Sequence, residues 1–182
     1  MKHLKKYQLF LEDNFDIKDT DKEDVKMSKE KMNDTQKDMT DYQAKKSQIE
    51  NIYKKAKTIQ ETEELIKPII GDAEEGNPYL IEFNSICRIE KEIELIHNEI
   101  VKDKIRADDM REEASLIEDS ETKAAATGKL TDIQNRIATK NKEILDKTKE
   151  FQELEKQHIK KMQDMKKDMS NYIEKISDSE QK

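Results

Sequence analysis

Between Ile86 and Ile117 the chain repeats every seven residues. Ile86, Ile93, Ile100, Ala107 and Ala114 form one row, and Ile89, Ile96, Asp103, Met110 and Ile117 form a second, three residues later. Nine of these ten positions are apolar, and the alternating spacing of three and four places them on one narrow stripe of an α-helix. A stripe that narrow is buried against other helices and against little else. The pattern therefore decides a question that composition leaves open. With 42% charged and only 33% hydrophobic residues, the chain has too little apolar material for a thick core, and a disordered polymer has a similar makeup. A disordered chain has no need of a seam sustained over five heptads.

The strong helix breakers divide the rest. Pro68, Gly71, Gly76 and Pro78 fall in one cluster and Gly128 stands alone, which predicts three long helices over about 20–67, 78–118 and 129–176. Asn77-Pro78 reads as an N-cap followed by proline at the first helical position. The third segment carries Leu130, Ile137, Ile144, Phe151, His158, Met165 and Tyr172 at intervals of seven, with a second stripe at Met162, Met169 and Ile176. The first segment is less regular, with Tyr42, Ile49 and Ala56 in one row, Ile52, Ile59 and Ile66 in another, and Met32 and Met39 in a third. Helices of that length joined by short connections fold back on one another. The expectation is an all-α protein, an antiparallel up-down-up coiled-coil bundle of three long helices. It pairs Ile52–Ile66 with Tyr79–Ile93, and Met27–Met39 with Ile105–Ile117. Residues 1–19 form a short amphipathic docking peptide and leash, 20–176 the bundle, and 177–182 a disordered tail.

Charge and cysteine content narrow the function classes. The net charge of −7 arises from 42 acidic and 35 basic residues mixed along the chain, which argues against a nucleic-acid surface. Cys87 is the single cysteine, so there is no internal disulfide, and a reducing compartment fits. No stretch approaches the roughly 18 apolar residues of a membrane span. The apolar part of the N-terminus, Leu9 to Leu11, is too short for a secretion signal, so the chain is expected not to be secreted.

Glu94-x-x-His97 and Glu155-x-x-His158 each place a carboxylate and an imidazole on one helical face, as half of a carboxylate-bridged di-metal site would. Glutamate is too abundant here for the spacing to be specific. Folding about the second connection leaves the two histidines about 12 Å apart along the axis, and two more inward glutamates would be needed from helices the chain lacks. Both read as flank histidines, with no metal, no cofactor and no catalytic residue implied. Asp103 is the one charged residue in the seam. It either pairs with a lysine of a neighbouring helix, fixing register, or sits where the small Ala107 admits water. The methionines read as seam filler, and Gly71–Gly76 as an acidic turn without a calcium-loop pattern.

The heptads leave one segment unexplained. Residues 1–12 run from basic Lys2, Lys5 and Lys6 to apolar Leu9-Phe10-Leu11 and acidic Glu12. Written as a helix, Leu4, Tyr7 and Leu11 share a face with Phe10 beside it, a pattern suited to a partner's groove, to packing back on its own bundle, or to weak binding at a membrane surface. Met1-Lys2 followed by Tyr7-x-x-Phe10-Leu11-Glu12 resembles the N-terminal targeting peptide of head-packaged and core proteins of T4-like tailed phages. The resemblance covers about a dozen residues. It departs from the family in the extra residues between Lys2 and Tyr7, and in Asp13 where a small residue is usual, which puts cleavage after Glu12 in question. It implies a non-enzymatic virion or assembly component in the host cytoplasm or the virion. Such a component would bind phage head or tail proteins through Leu4, Tyr7, Phe10 and Leu11. Self-association is expected of so narrow a seam, and the other use open to such a chain is a regulatory helical module that sequesters a cellular protein.

Overall fold

The computed structural model describes residues 23–71 and 76–180. Every regular element among them is an α-helix: α1 Glu23–Lys55, α2 Ile59–Ile70, α3 Pro78–Ser115 and α4 Ser120–Glu180. None of these is long and apolar enough to cross a membrane. The chain divides into two compact units, Lys37–Asp164 and the pairing of Met1–Gln36 with Met165–Lys182. In the second unit Ser28, Met165 and Ile176 are buried.

The first long helix expected over 20–67 is two helices. Thr58 is extended (φ −136°, ψ 159°) and its hydroxyl accepts a hydrogen bond from the Glu61 backbone N–H at 3.2 Å. The Glu61 carboxylate reaches back to the Lys57 N–H at 2.7 Å. Such a reciprocal Thr-x-x-Glu cap satisfies donors that a helix start would otherwise orphan, and the N-cap alone stabilises by about 1 kcal/mol. At the far end of α2, Pro68 lies in the last turn and Gly71 takes φ +80°, its N–H bonding the Lys67 carbonyl at 3.1 Å. That left-handed conformation favours glycine. Asn77 then caps α3, accepting from the N–H groups of Tyr79 and Leu80, with Pro78 in the first turn.

Because α2 is a short return stroke, α3 runs in the same direction as α1. Within Lys37–Asp164, Asn77 Nδ2 donates to the Asp38 carbonyl at 2.7 Å, the Tyr42 and Phe83 rings meet edge to face at 5.8 Å, and Tyr53 Oη donates to Asn84 at 2.8 Å. Residue numbers rise together on the two helices. α2 is antiparallel to α3, with Glu63 paired to Arg88 at 3.0 Å and Ile66 in one core cluster with Leu80. α4 is antiparallel to α3 as well, with Lys161 and His158 at Glu82, Lys147 at Glu92, and Lys140 and Arg136 at Asp103. The expected up-down-up order of three long helices is thus corrected to up, briefly down, up and down. Ile66 and Leu80 share the core, but the antiparallel pairing expected of all of Ile52–Ile66 is limited to its α2 part, because Ile52 lies on α1, parallel to α3. Met39, next to Asp38, is level with the start of α3 rather than with Ile105–Ile117.

Two further boundaries differ. The connection between α3 and α4 is Leu116–Asp119, where the Asp119 carboxylate caps α4 by accepting from the Thr122 N–H at 2.7 Å. Gly128 is therefore inside α4, among strong helix formers at Ala124–Ala126, and a single glycine costs a helix only about 1 kcal/mol. At the other end α4 continues to Glu180, so residues 177–180 are helical where a tail was expected.

The core of the larger unit is built from Tyr42, Ile49 and Tyr53 of α1, Ile66 of α2, and Leu80, Phe83 and Cys87 of α3, with Met162 of α4 packed against it. Ile49 and Leu80 are wholly shielded, and burial of each such side chain stabilises by about 1.5–3 kcal/mol. All ten positions of the α3 seam are buried or half-buried, and so is the seven-residue stripe of α4.

A methyl group on Gly128 would meet nothing within 4 Å. Gly128→Ala is expected to stabilise the protein by about 0.5–1 kcal/mol through the unfolded chain and the helix alike. A raised urea midpoint checks this, and a lowered one would mean that a turn conformation is needed at that residue.

Candidate functional site

The chemically richest place in the described residues is where α1, α3 and α4 meet around His158. The flank position expected of His158 is corrected, for the imidazole is buried. Nε2 lies 2.9 Å from Tyr42 Oη, and Nδ1 lies 3.4 Å from the Glu82 carboxylate. A carboxylate only accepts, so Nδ1 carries the proton and Nε2 accepts from the tyrosine hydroxyl. Lys161 closes the far side by pairing with Glu82. The rings of Tyr42 and Phe83 stand 5.6 and 6.1 Å from the imidazole, and the Lys46 ammonium lies 4.9 Å from the Phe83 ring centroid, within cation–π range.

The electrostatics keep this cluster uncharged at its centre. Burial, and then the Lys46 ammonium, push His158 below the usual imidazole range. Burial raises the Tyr42 hydroxyl to about 12, with help from Cys87 and Glu50. Cys87 itself is pushed up to about 12 by burial and by the Glu90 and Glu50 carboxylates. A thiol so held is not a nucleophile at neutral pH, and a phenol so held is a hydrogen-bond donor. The arrangement resembles a proton relay in its order of atoms. Its buried groups are instead satisfied by one another, and among the described residues no buried side-chain nitrogen or oxygen lacks a partner. What the cluster does is lock three helices in register.

The other candidate residues separate. His97 is exposed on α3, and Glu94 is engaged by Lys91 at 3.0 Å. Glu155 is exposed, so neither Glu-x-x-His pair is closed on itself. Among the described residues no three His, Cys, Asp or Glu side chains gather as a metal-holding group. Asp103 accepts from Lys140 at 3.0 Å and from Arg136 at 2.9 Å, and Lys140 also reaches Glu99. The Lys140 hydrogen bond, with Arg136 beside it, holds the Asp103 carboxyl below the usual range. About three turns nearer the core, burial opposes the ionisation of Glu92, yet its bonds to Lys147 (2.5 Å) and Arg88 (3.1 Å) keep its pKa low. Leu4, Tyr7, Phe10 and Leu11 lie outside the described residues. The heptad rows missed an apolar pit of about 280 Å³ at the α1–α2 junction, lined by Ile52, Ala56 and Leu65 with Asn51, Lys55 and Glu61. Its signal in sequence is the Thr58-x-x-Glu61 cap, since only a break there opens the pit.

Two outcomes follow from the ionic geometry. Since His158 has a folded-state pKa below its unfolded value of about 6.5, the unfolded chain binds the proton first. Stability is level above that pH and declines as pH falls through it. The carboxylates with lowered pKa values act in a separate window, losing their contribution only as pH falls below about 4. Urea midpoints at pH 7.5 and 5.5 should differ for the wild type and coincide for His158→Gln; an equal drop in both would place the titrating group elsewhere. Asp103→Asn should lower the thermal midpoint at low salt, with the deficit shrinking in concentrated salt as screening weakens the ion pairs it removes. A salt-independent deficit would assign Asp103 a packing role.

Compared with protein-family models, with curated protein sequences and with solved structures, the chain finds no match.

Proposed function

We propose that this chain is a non-enzymatic structural protein, a coiled-coil scaffold or spacer that docks a partner through residues 1–12, as a virion or assembly component of a tailed phage does. The observation that carries it is the closure of the His158 cluster. The side chains with the strongest chemical potential, His158, Tyr42 and Cys87, are buried and bonded to each other or held in their neutral forms. What remains on the surface is largely charge arranged along helices, which suits a protein that holds distance and presents contacts. The seam of α3 and α4, pinned by Asp103, Glu92 and Glu82, supports a coiled-coil reading of that pair. The basic-aromatic makeup of residues 1–12 supports the docking role, and its resemblance to a head-targeting peptide supports the phage setting in the host cytoplasm or virion.

A helical module that sequesters a cellular protein is the second reading. The α1–α2 pit favours it, because Leu65 stands 58% exposed on its rim where a partner's apolar side chain could seat.

Deletion of residues 1–12 should abolish incorporation into particles while leaving the far-ultraviolet circular dichroism of the remaining chain unchanged. Normal incorporation of the truncated protein would sink the docking role. Affinity capture separates the two readings: stoichiometric head or tail proteins support the first, and a single soluble enzyme the second.

A further inference from the structure

The far half of α3, with Leu116 just past its end, has an outer face that no helix among the described residues covers. Val101, Ile105 and Leu116 are 42%, 58% and 82% exposed. At 3.6 residues per turn they share an arc of about 100° with Asp108, Asp109 and Glu112, on the side opposite the seam that meets α4. The arc is apolar and acidic together. Asp108 is paired with Arg111 at 2.6 Å, an exposed pair within one helix and so a weak one. From Asp108 to Glu121 seven residues are acidic and Arg111 is the one base, a formal charge of −6 in a chain whose total is −7. The rest of the chain is therefore almost neutral in sum.

The same chain contains a segment of the opposite character. Residues 2–11 hold Lys2, Lys5 and Lys6 with Leu4, Tyr7, Phe10 and Leu11, and no acid. We infer that this segment of one copy docks on the outer face of α3 of another, its lysines against Asp109 and Glu112 and its apolar residues on Ile105 and Leu116. The inference rests on the docking role of residues 1–12 proposed above and supplies the occupant. The contact is one between copies, and its signature is a mass that grows with concentration. Donor and acceptor surfaces differ, so the contact is head-to-tail and each added copy presents a fresh acidic face.

Light scattering on the full chain tests this. The mass of the wild type should climb from 21.5 kDa with concentration, without halting at a dimer, and should fall back in high salt. Lys5→Glu with Lys6→Glu should hold the protein at the mass of one chain, and so should Asp109→Lys with Glu112→Lys. All four changes together should restore association. These positions are at the surface or in the N-terminal segment, and circular dichroism of each variant checks the fold. A wild type that stays at one chain's mass would overturn the inference, as would a reversal that leaves association intact or a fourfold variant that remains single. If particle incorporation still requires residues 1–12 in a chain that does not self-associate, the docking role stands and only this occupant is lost. If the chain associates as described yet enters no particle, the reverse holds.

Discussion

The break between Lys55 and Ile59 sets the direction of everything after it. A helix that ran on through residue 67 would carry the chain away, and α3 would have to return along its whole length. The Thr58 cap instead turns the chain where Ala56 and Ile52 still face inward, and α2 returns through only 12 residues, about 18 Å. α3 therefore starts beside Asp38 and passes Tyr42, Lys46 and Tyr53 in ascending order. Four helices then surround one short stretch of core. Three of the four largest fully buried side chains among the described residues, Ile49, Leu80 and Thr62, lie here, and the fourth, Ile100, lies in the α3–α4 seam.

Beyond that core, among the described residues, α3 and α4 pack on each other, and the character of the contact changes. In the core the polar link is the neutral Tyr42–His158 pair, with the Glu82 carboxylate at its outer edge paired to Lys161, which suits a site where a bare charge would be costly. Farther out the links become ionic, with Glu92 to Lys147 and Asp103 to Lys140 and Arg136. In the half-open seam of a two-helix pair these carboxylates are only partly shielded, and facing lysines and arginines offset what burial costs their ionised form. Seam residues shrink in the same direction, from Ile86 and Ile89 to Ala107 and Ala114. The small residues let the helices approach while burying less apolar area.

Much of the helical content was legible, and the reasons differ from element to element. The ten seam positions of α3 turn inward because a sustained heptad leaves a helix one economical face, and the α4 stripe through His158 does the same. Leu80, Phe83 and Cys87 escaped the pattern because α3 has a second buried face at its start, toward α1 and α2, which no single period describes. Gly128 was overvalued as a breaker and Asp119 undervalued as a cap, although glycine in a helix costs about as much as a good cap returns. Thr58-x-x-Glu61 was present to be read, but its consequence, a reversal of the α1 direction relative to α3, depends on where the next helix can pack. The partner of His158 lies 116 residues away at Tyr42, and nothing local to either residue identifies the other.

Charge follows the same division as packing. Where helices pack, acids and bases face each other across the interface and sum to almost nothing. Between Asp108 and Glu121 the acids have one base among them, and that base is used locally by Asp108. Like charges crowded on a helix end and its connection destabilise the free chain, since each repels the next at short range. They sit beside Ile105 and Leu116, which are themselves unfavourably exposed to water. A surface that is both self-repelling and apolar lowers its free energy most when a cationic, apolar segment covers it. Neither a neutral apolar partner nor a purely basic one would relieve both strains at once. Residues 2–11 have the required composition, and they belong to the same gene product, so supply and demand for the contact remain matched at every concentration of the protein.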